Sequence, residues 1–417
     1  MPRPRTPARA AIVAVVVAAI LGGVEPDRPV GATIVTQVEP ARRETPRWVE
    51  RIRELVGDRP MSVAIGDDGE TWFRHRDWVL RAPASNEKLL LSMALFDRFG
   101  TERTIRTSVT TAAPRRRATI HGDVYLVGRG DPEVADAQVR ELARQVASAG
   151  IRRIRGSVVG SLGGLRRDWW ATGWRDYFPR WYIARPTALT YRGNRDAAGR
   201  HVPDPERRAA AALTRRLRKL GVRVVDPAAA ARPPADTRVL AEIASDPLAA
   251  IVRRMNVVSR NFSAEVLGKV LAADVYGRGT IANAGRAIAA FVAAHGLAFE
   301  ANDGSGLSYA NRASARGIVQ LLWVADGHDW GRTLRAGLAR GGRGTLEDRL
   351  RDVRVRAKTG TLEAVSALSG WVWLEQEGTW AEFSILSSGM STWTAKSIED
   401  RIVRIVANTA TDPTPDS

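Results

Sequence analysis

From Leu89 to Phe99 the sequence Leu-Leu-Leu-Ser-Met-Ala-Leu-Phe-Asp-Arg-Phe carries apolar side chains nearly all the way round a helix. A helix with no polar face belongs inside a large core rather than on a surface, and Gly100 supplies a natural stop. At the mouth of this segment stands Ala84-Ser85-Asn86-Glu87-Lys88. Any fold must bury the helix while keeping Ser85 and Lys88 on one of its faces, because positions i and i+3 are neighbours. The chain has five lysines among 63 Lys+Arg residues, and only Lys88 follows a serine at that spacing. Arginine keeps its proton in a protein, whereas a lysine partly desolvated at the edge of a buried helix has a depressed pKa and can serve as a base.

The formal charge of +18 points to an anionic environment; an arginine-biased composition with no specific partner is the plain alternative. Arg3, Arg5 and Arg9 precede an apolar run from Ala10 to Leu21 and then Gly22-Gly23, the shape of a secretory signal. The run is short against the roughly 20 residues of a full membrane span. Residues 1–32 therefore read as a cleavable signal, with Val30-Gly31-Ala32 offering small residues for cleavage, or as a retained anchor. With no cysteine there is no disulfide framework, lipid-attachment cysteine or thiolate metal site. An exported basic protein meets anionic wall polymers rather than nucleic acid, and the expected location is extracytoplasmic and wall-associated.

Residues 33–46 read as a tether. Trp48–Val56 has helical spacing, and Met61–Ile65 and Glu70–Phe73 flank Gly66-Asp67-Asp68-Gly69 as strand, turn and strand. From Thr104 to Leu240 the pattern changes to strands at Ser108–Thr111 and Ala118–Val127 and helices at Asp136–Ala149 and Asp204–Leu220. The fragment Gly122 to Pro132 lacks the dinucleotide-binding spacing and reads as a strand ending in a tight turn. Trp169, Trp170, Trp174 and Trp181 form a satellite core or a glycan- or membrane-facing patch, and Pro227–Pro234 is a connector. Ser245-Asp246-Pro247 opens a helix with a capping residue, and Ser259-Arg260-Asn261 precedes an apolar helix around Ala264–Ala273. Strands at Arg351–Lys358, Val365–Leu374 and Trp380–Ser388 form an antiparallel meander, closed by a helix at Ala395–Ala407. The chain thus divides into a discontinuous domain, 33–103 with 241–417, and an insert at 104–240.

Singly, Ser85 with Lys88 is a helix start, Ser259-Arg260-Asn261 a turn and Lys358-Thr359-Gly360-Thr361 a strand end. In the order Ser-x-x-Lys, Ser-x-Asn, Lys-Thr-Gly they form the signature of active-site serine penicillin-recognising enzymes. The wider pattern resembles the D-alanyl-D-alanine carboxypeptidase/endopeptidase family of low-molecular-mass penicillin-binding proteins, peptidase family S13. The matching stretches are Pro83 to Leu89, Gly122 to Pro132, Met255 to Glu265, Asp303-Gly-Ser-Gly-Leu-Ser308, and Lys358 to Thr361 with Leu368-Ser369-Gly370. The likeness runs from about residue 48 to residue 408. Arg260 stands where the family often has Asp or Asn, and the insert is short near Gly193-Asn194, where the family often nests a further domain.

The resemblance implies an α+β fold: a serine β-lactamase/DD-peptidase-like domain, its antiparallel sheet flanked by helices and its central buried helix carrying Ser85, with an inserted smaller α/β domain. It implies Ser85 as nucleophile and Lys88 as general base. Ser259 relays the proton to the leaving amine, and Asn261 orients Lys88 and donates to the substrate amide. Lys358, cationic at a strand end, attracts the terminal carboxylate of a D-Ala-D-Ala stem or a penicillin, helped by Thr359, Gly360 and Thr361. The backbone N–H groups of Ser85 and Thr361 form the oxyanion hole. No cofactor or metal is implied. Partners are peptidoglycan stem peptides and, as covalent inhibitors, β-lactams. None of the five histidines lies in the motifs, which disfavours a serine–histidine hydrolase. A serine β-lactamase, lacking here the Glu-x-x-Leu-Asn deacylation motif, and a non-catalytic wall-binding homologue are the competing readings.

Overall fold

The apolar run is buried as its composition requires: Leu89, Leu90, Leu91, Met93, Leu95 and Phe96 sit in a core shared with later helices and one face of a sheet. The computed structural model describes residues 45–409. The export segment and most of the tether read from the sequence lie outside them.

The described chain opens with helix α1 (Arg47–Val56), strands β1 (Met61–Asp67) and β2 (Glu70–His75), a 3-10 turn at Ala84–Asn86, and helix α2 (Glu87–Phe99). There follow β3 (Arg106–Thr111), β4 (Arg115–Arg116), β5 (Thr119–Ile120), β6 (Val124–Gly128), α3 (Asp136–Ser148), β7 (Arg153–Ile154) and β8 (Val158–Ser161). Next are the single turn α4 (Phe178–Trp181), α5 (Pro205–Lys219), β9 (Arg223–Val224), β10 (Ala229–Ala231) and β11 (Arg238–Ala244). The last section holds α6 (Leu248–Val257), α7 (Asn261–Tyr276), α8 (Ile281–Ala294), α9 (Ala315–Asp326), α10 (Gly331–Ala336) and β12 (Ala339–Arg340). It ends with β13 (Val355–Leu362), β14 (Val365–Leu374), β15 (Thr379–Ser388) and α11 (Thr392–Ala407).

The main sheet runs β12-β13-β14-β15-β1-β2 and is antiparallel throughout. Successive side chains of a strand face opposite ways, and the two faces bury against different layers. Val63, Ile65, Leu368, Val372, Phe383 and Ile385 meet α1 and α11, whereas Ala64, Ala367, Trp371 and Leu386 meet the helix layer around α2. A five-stranded mixed sheet, β10-β8-β6-β3-β11, and a small one, β4-β5-β7-β9, use only residues between 106 and 244. They enclose their own core with α3 and α5.

Four local expectations change. Ala118–Val127 is not one strand: β5 joins the small sheet and β6 the larger one. The break falls at Gly122-Asp123, where the Asp123 carbonyl accepts from Thr111 Oγ1 and its carboxylate from the Ser157 amide, taking those groups out of strand pairing. The 227–234 connector contains β10, which pairs parallel with β8. Ser245 does not cap α6; its hydroxyl accepts from the Ile105 amide and donates to the Asp246 carbonyl, tying α6 to the insert's edge. The strand read at 351–358 is shifted to Val355–Leu362, because its register against β14 runs through Lys358-Thr359-Gly360-Thr361.

On the α2 side of the main sheet, Glu382 is buried against the end of α9. Trp323 Nε1 donates to its carboxyl at 2.8 Å, and Trp371 Nε1 donates to Asp326 at 2.6 Å. Burial, then a hydrogen bond to Asp326 and the charges of Asp326 and Asp67, push the Glu382 carboxyl up to about 9. The folded chain therefore favours the protonated form. Its stabilising contribution is complete below the ordinary glutamate pKa and is lost as pH rises through about 9. Melting temperature should fall across that window, by up to about 1.4 kcal/mol of stability per pH unit. Glu382→Gln, which keeps shape and hydrogen bonding without the charge, is expected to flatten the curve between pH 5 and 9; parallel curves for the two proteins would assign the decline to other groups.

Candidate active site

The turn that carries Ser85 is strained. Ala84, fully buried, has φ +46°, a left-handed conformation that costs a residue with a Cβ roughly 1–2 kcal/mol. Two glycines make room for it. A Cβ on Gly306, itself at φ +77°, would lie 1.9 Å from the Ala84 carbonyl oxygen. One on Gly360 in β13 would lie 2.8 Å from the Pro83 oxygen and 3.0 Å from the Ala84 Cβ. Asn86 anchors the other side of the turn by donating to Ser369 Oγ in β14 at 2.7 Å. The turn is thus wedged between the sheet and the loop 303–308.

Lys88, in the first turn of α2, has no solvent exposure. Its Nζ donates to Ser85 Oγ at 2.9 Å, to Asn261 Oδ1 at 2.9 Å and to the Ser305 carbonyl. The three hydrogens of an ammonium thus have three acceptors, and one of them is the hydroxyl of Ser85. Burial lowers the Lys88 pKa to about 8, working against the nearby Asp303, Glu265 and Glu87, which raise it. Lysine was expected at the edge of a buried helix; it lies wholly inside.

Ser259 follows α6 at φ +56°, and Asn261 begins α7. Lys358 Nζ donates to Ser259 Oγ at 2.9 Å and to the Thr359 carbonyl at 2.8 Å. Here an expectation is corrected. Lys358 was read as a cation at a strand end, but it lies within β13 and is fully buried. Burial first, and then the Lys88 charge, lower its pKa well below the ordinary lysine value. Both effects favour the neutral amine.

Ser85, Ser259, Asn261, Thr359 and Thr361 open onto one cleft of about 700 Å³. Of the eight residues singled out in the sequence, these five reach the cleft wall; Lys88 and Lys358 stand behind it, bonded to Ser85 and Ser259, and Gly360 backs the serine turn.

Several residues around this cleft were not assigned from the sequence. Glu265 Oε1 accepts from the Gly304 and Ser305 amides at 3.1 and 2.8 Å. Asp303 accepts from the Gly306 and Ser308 amides, Asn311 Nδ2 and Trp174 Nε1. These bonds fix the loop that aims the Ser305 carbonyl at Lys88. Burial, with Asp303 next, pushes Glu265 up to about 8, and burial with Asp303 and Glu265 pushes Glu87 higher than an ordinary carboxyl. The Asp303–Ser308 motif and Glu265 were visible as pattern, but nothing in the pattern says that the contact with Lys88 is a backbone carbonyl.

The insert supplies a further wall: Tyr177, Phe178 and Tyr182 line the same cleft. Only part of the tryptophan cluster packs inward. Trp174 packs in a satellite core with Trp169 against it, whereas Trp170 and Trp181 are 48% and 62% exposed. The tyrosines carried no periodic signal of their own.

Known proteins resemble this chain in sequence and in fold. A D-alanyl-D-alanine carboxypeptidase of an Actinomadura species is 29% identical over 429 aligned residues, covering 80% of this chain and 78% of that protein. A carboxypeptidase of Mycobacterium tuberculosis is 28% identical over 364, covering 77% and 74%. In fold, the chain is similar to the crystal structure of penicillin binding protein 4 from Haemophilus influenzae, with a TM-score of 0.72 at 18% identity over 86% of this chain and 98% of that one. The model of the D-Ala-D-Ala carboxypeptidase 3 (S13) family matches residues 61–198 and 186–409, its two segments meeting around the turn Arg192–Asn194. Since that match runs along nearly the whole described chain and through every segment that meets at the cleft, the chain belongs to the D-Ala-D-Ala carboxypeptidase 3 (S13) family.

Proposed function

We propose that this protein is an exported serine-type D-Ala-D-Ala carboxypeptidase that acts on peptidoglycan stem peptides, cleaves cross-linked peptides by the same chemistry, and is acylated by β-lactams. The observation that carries the reading is the fully buried Lys88 amine, its pKa lowered to about 8, at 2.9 Å from Ser85 Oγ. A serine becomes a useful nucleophile when a base takes its proton, and no other base bonds to Ser85 Oγ among the described residues.

In the first half-reaction Ser85 Oγ attacks the carbonyl carbon of the penultimate D-Ala while its proton passes to Lys88. The oxyanion is held by the amides of Ser85 and Thr361. The C–N bond then breaks, and the departing D-Ala nitrogen takes a proton from Lys88 by way of the Ser259 hydroxyl. Water, deprotonated by the same amine, attacks the ester, and the departing Ser85 Oγ takes that proton back from Lys88. Asn261 holds Lys88 in place through its Oδ1 and leaves its amide N–H₂ for the substrate. The substrate's terminal carboxylate settles beside Lys358 with Thr359 and Thr361. An adjacent anion raises a lysine pKa, so a bound carboxylate favours the charged form of Lys358 that burial disfavours.

Intact mass after incubation with a penicillin tests the reading. A stable adduct is expected on the natural protein and none on Ser85→Ala, together with D-Ala release from a pentapeptide by the former alone. Rapid turnover of the penicillin would indicate a β-lactamase, and a folded protein that forms no adduct and releases no D-Ala would be a non-catalytic relative.

A further inference from the structure

A second cleft, of about 390 Å³, is walled by Arg253, Arg254, Arg260, Arg340, Arg343 and Arg356 and by no acidic side chain. Arg254 is engaged by Glu133 and Asp246. The other five guanidinium groups have no ion pair or side-chain hydrogen bond among the described residues. They converge from separate segments: Arg253 from α6, Arg260 from the turn after it, Arg340 from β12, Arg343 from the loop beyond, and Arg356 from β13.

The sheet works against itself to hold them. Arg340 lies directly opposite Arg356 in the β12–β13 ladder and bridges to Arg343, and like charges placed opposite one another destabilise a sheet. Arg356 registers the crowding: burial, then Arg340, Arg354 and Arg343, lower its pKa from the ordinary arginine value. A charged edge strand can serve merely to block pairing with other chains, and β12 is an edge. That purpose accounts for Arg340 but not for Arg253 or Arg260, which come from α6 and the turn after it, off the sheet, and line the same cleft.

We propose that this cleft binds a linear polyanion carrying repeated phosphate groups and lays it alongside the cleft that holds Ser85. Guanidinium matches phosphate oxygens in paired hydrogen bonds, and five free groups exceed what the few carboxylates of one stem peptide need. The five groups line one recess of this size, a shape that a flexible chain can follow more closely than a flat bilayer. Arg260 also lines a third pocket, which shares Ser259, Asn261 and Tyr182 with the Ser85 cleft and so gives the bound chain a path toward the site. The inference is independent of the acyl-transfer reading, because its readout is binding.

The test titrates the full chain with a fluorescent linear inorganic polyphosphate at several salt concentrations. Arg253→Gln/Arg340→Gln/Arg343→Gln should weaken binding at least tenfold and make the plot of log K against log salt shallower by about two, at roughly 0.7 per neutralised phosphate. A control triple on another surface, Arg47→Gln/Arg53→Gln/Arg74→Gln, removes the same charge and should stay within about twofold of the natural protein. Equal loss in both triples, or no loss in the first, overturns the proposal. So does a first triple that loses binding to phosphatidylglycerol vesicles while keeping its affinity for polyphosphate. Relief of the like-charge pair should raise the melting temperature of the first triple. If that triple melts early instead, Arg340→Gln/Arg343→Gln is judged by the same criteria.

Discussion

Lys88→Arg is expected to slow acylation of Ser85 by a penicillin about 10²- to 10⁴-fold, the range attributed to a general base. The substitution keeps a cation and its donors but removes a group able to lose a proton at any working pH. Lys88→Met, which fits the buried channel without charge, should show a loss of the same order. The pH profile of D-Ala release gives the sign: the active form is the neutral amine, so kcat/KM should rise with pH and level off above about 8, where burial has set Lys88. Stopped-flow acylation of the three proteins, each shown to melt cooperatively, decides the matter. An arginine variant within tenfold of the natural rate would mean that deprotonation at this position is not needed.

The second large effect is structural. Gly306→Ala should cost about 3 kcal/mol, from left-handed strain of roughly 1–2 kcal/mol and overpacking of roughly 1–3 kcal/mol. The Cβ would meet the Ala84 carbonyl at 1.9 Å, and backbone held on both sides cannot step aside. Gly389→Ala provides the comparison, since Gly389 has φ +78° but nothing within 4 Å of the added carbon. It should cost only the conformational part. Gly306→Ala should also lose most acylation activity, because the displaced groups are the Ser85 turn and the loop that presents the Ser305 carbonyl. Equal melting temperatures for the two variants would remove the steric account.

The sequence showed most plainly what local chemistry decides. The all-round apolar helix, the strand, turn and strand around Gly66–Gly69 and the serine, lysine and asparagine motifs could all be read, because each depends on neighbours within a few residues. The register of β13 could not, since it is set by pairing with β14 and by the need to slide Gly360 under Ala84. Nor could the depth of Lys358, which depends on how far α6 and the sheet close over it. Lysine scarcity carried more information than the motifs used: Lys88, Lys269 and Lys358 are all fully buried. Lys269, outside every motif, holds the carbonyls of Arg166, Asp168 and Pro186 and pairs with Asp168 at 2.9 Å, pinning the insert to α7.

The main sheet sets a timetable as well as a shape. β1 lies between β2 and β15, with Met61 opposite Ser387, so the strand just upstream of Ser85 waits for one made more than 300 residues later. Contacts of such long sequence separation form late in folding. During synthesis the nucleophile and its lysine emerge early, yet Asn261, Ser305 and the β13 strand that complete their surroundings do not yet exist. A growing chain therefore carries Ser85 without the burial that lowers the Lys88 pKa, and reactivity is switched on by the arrival of the C-terminal strands.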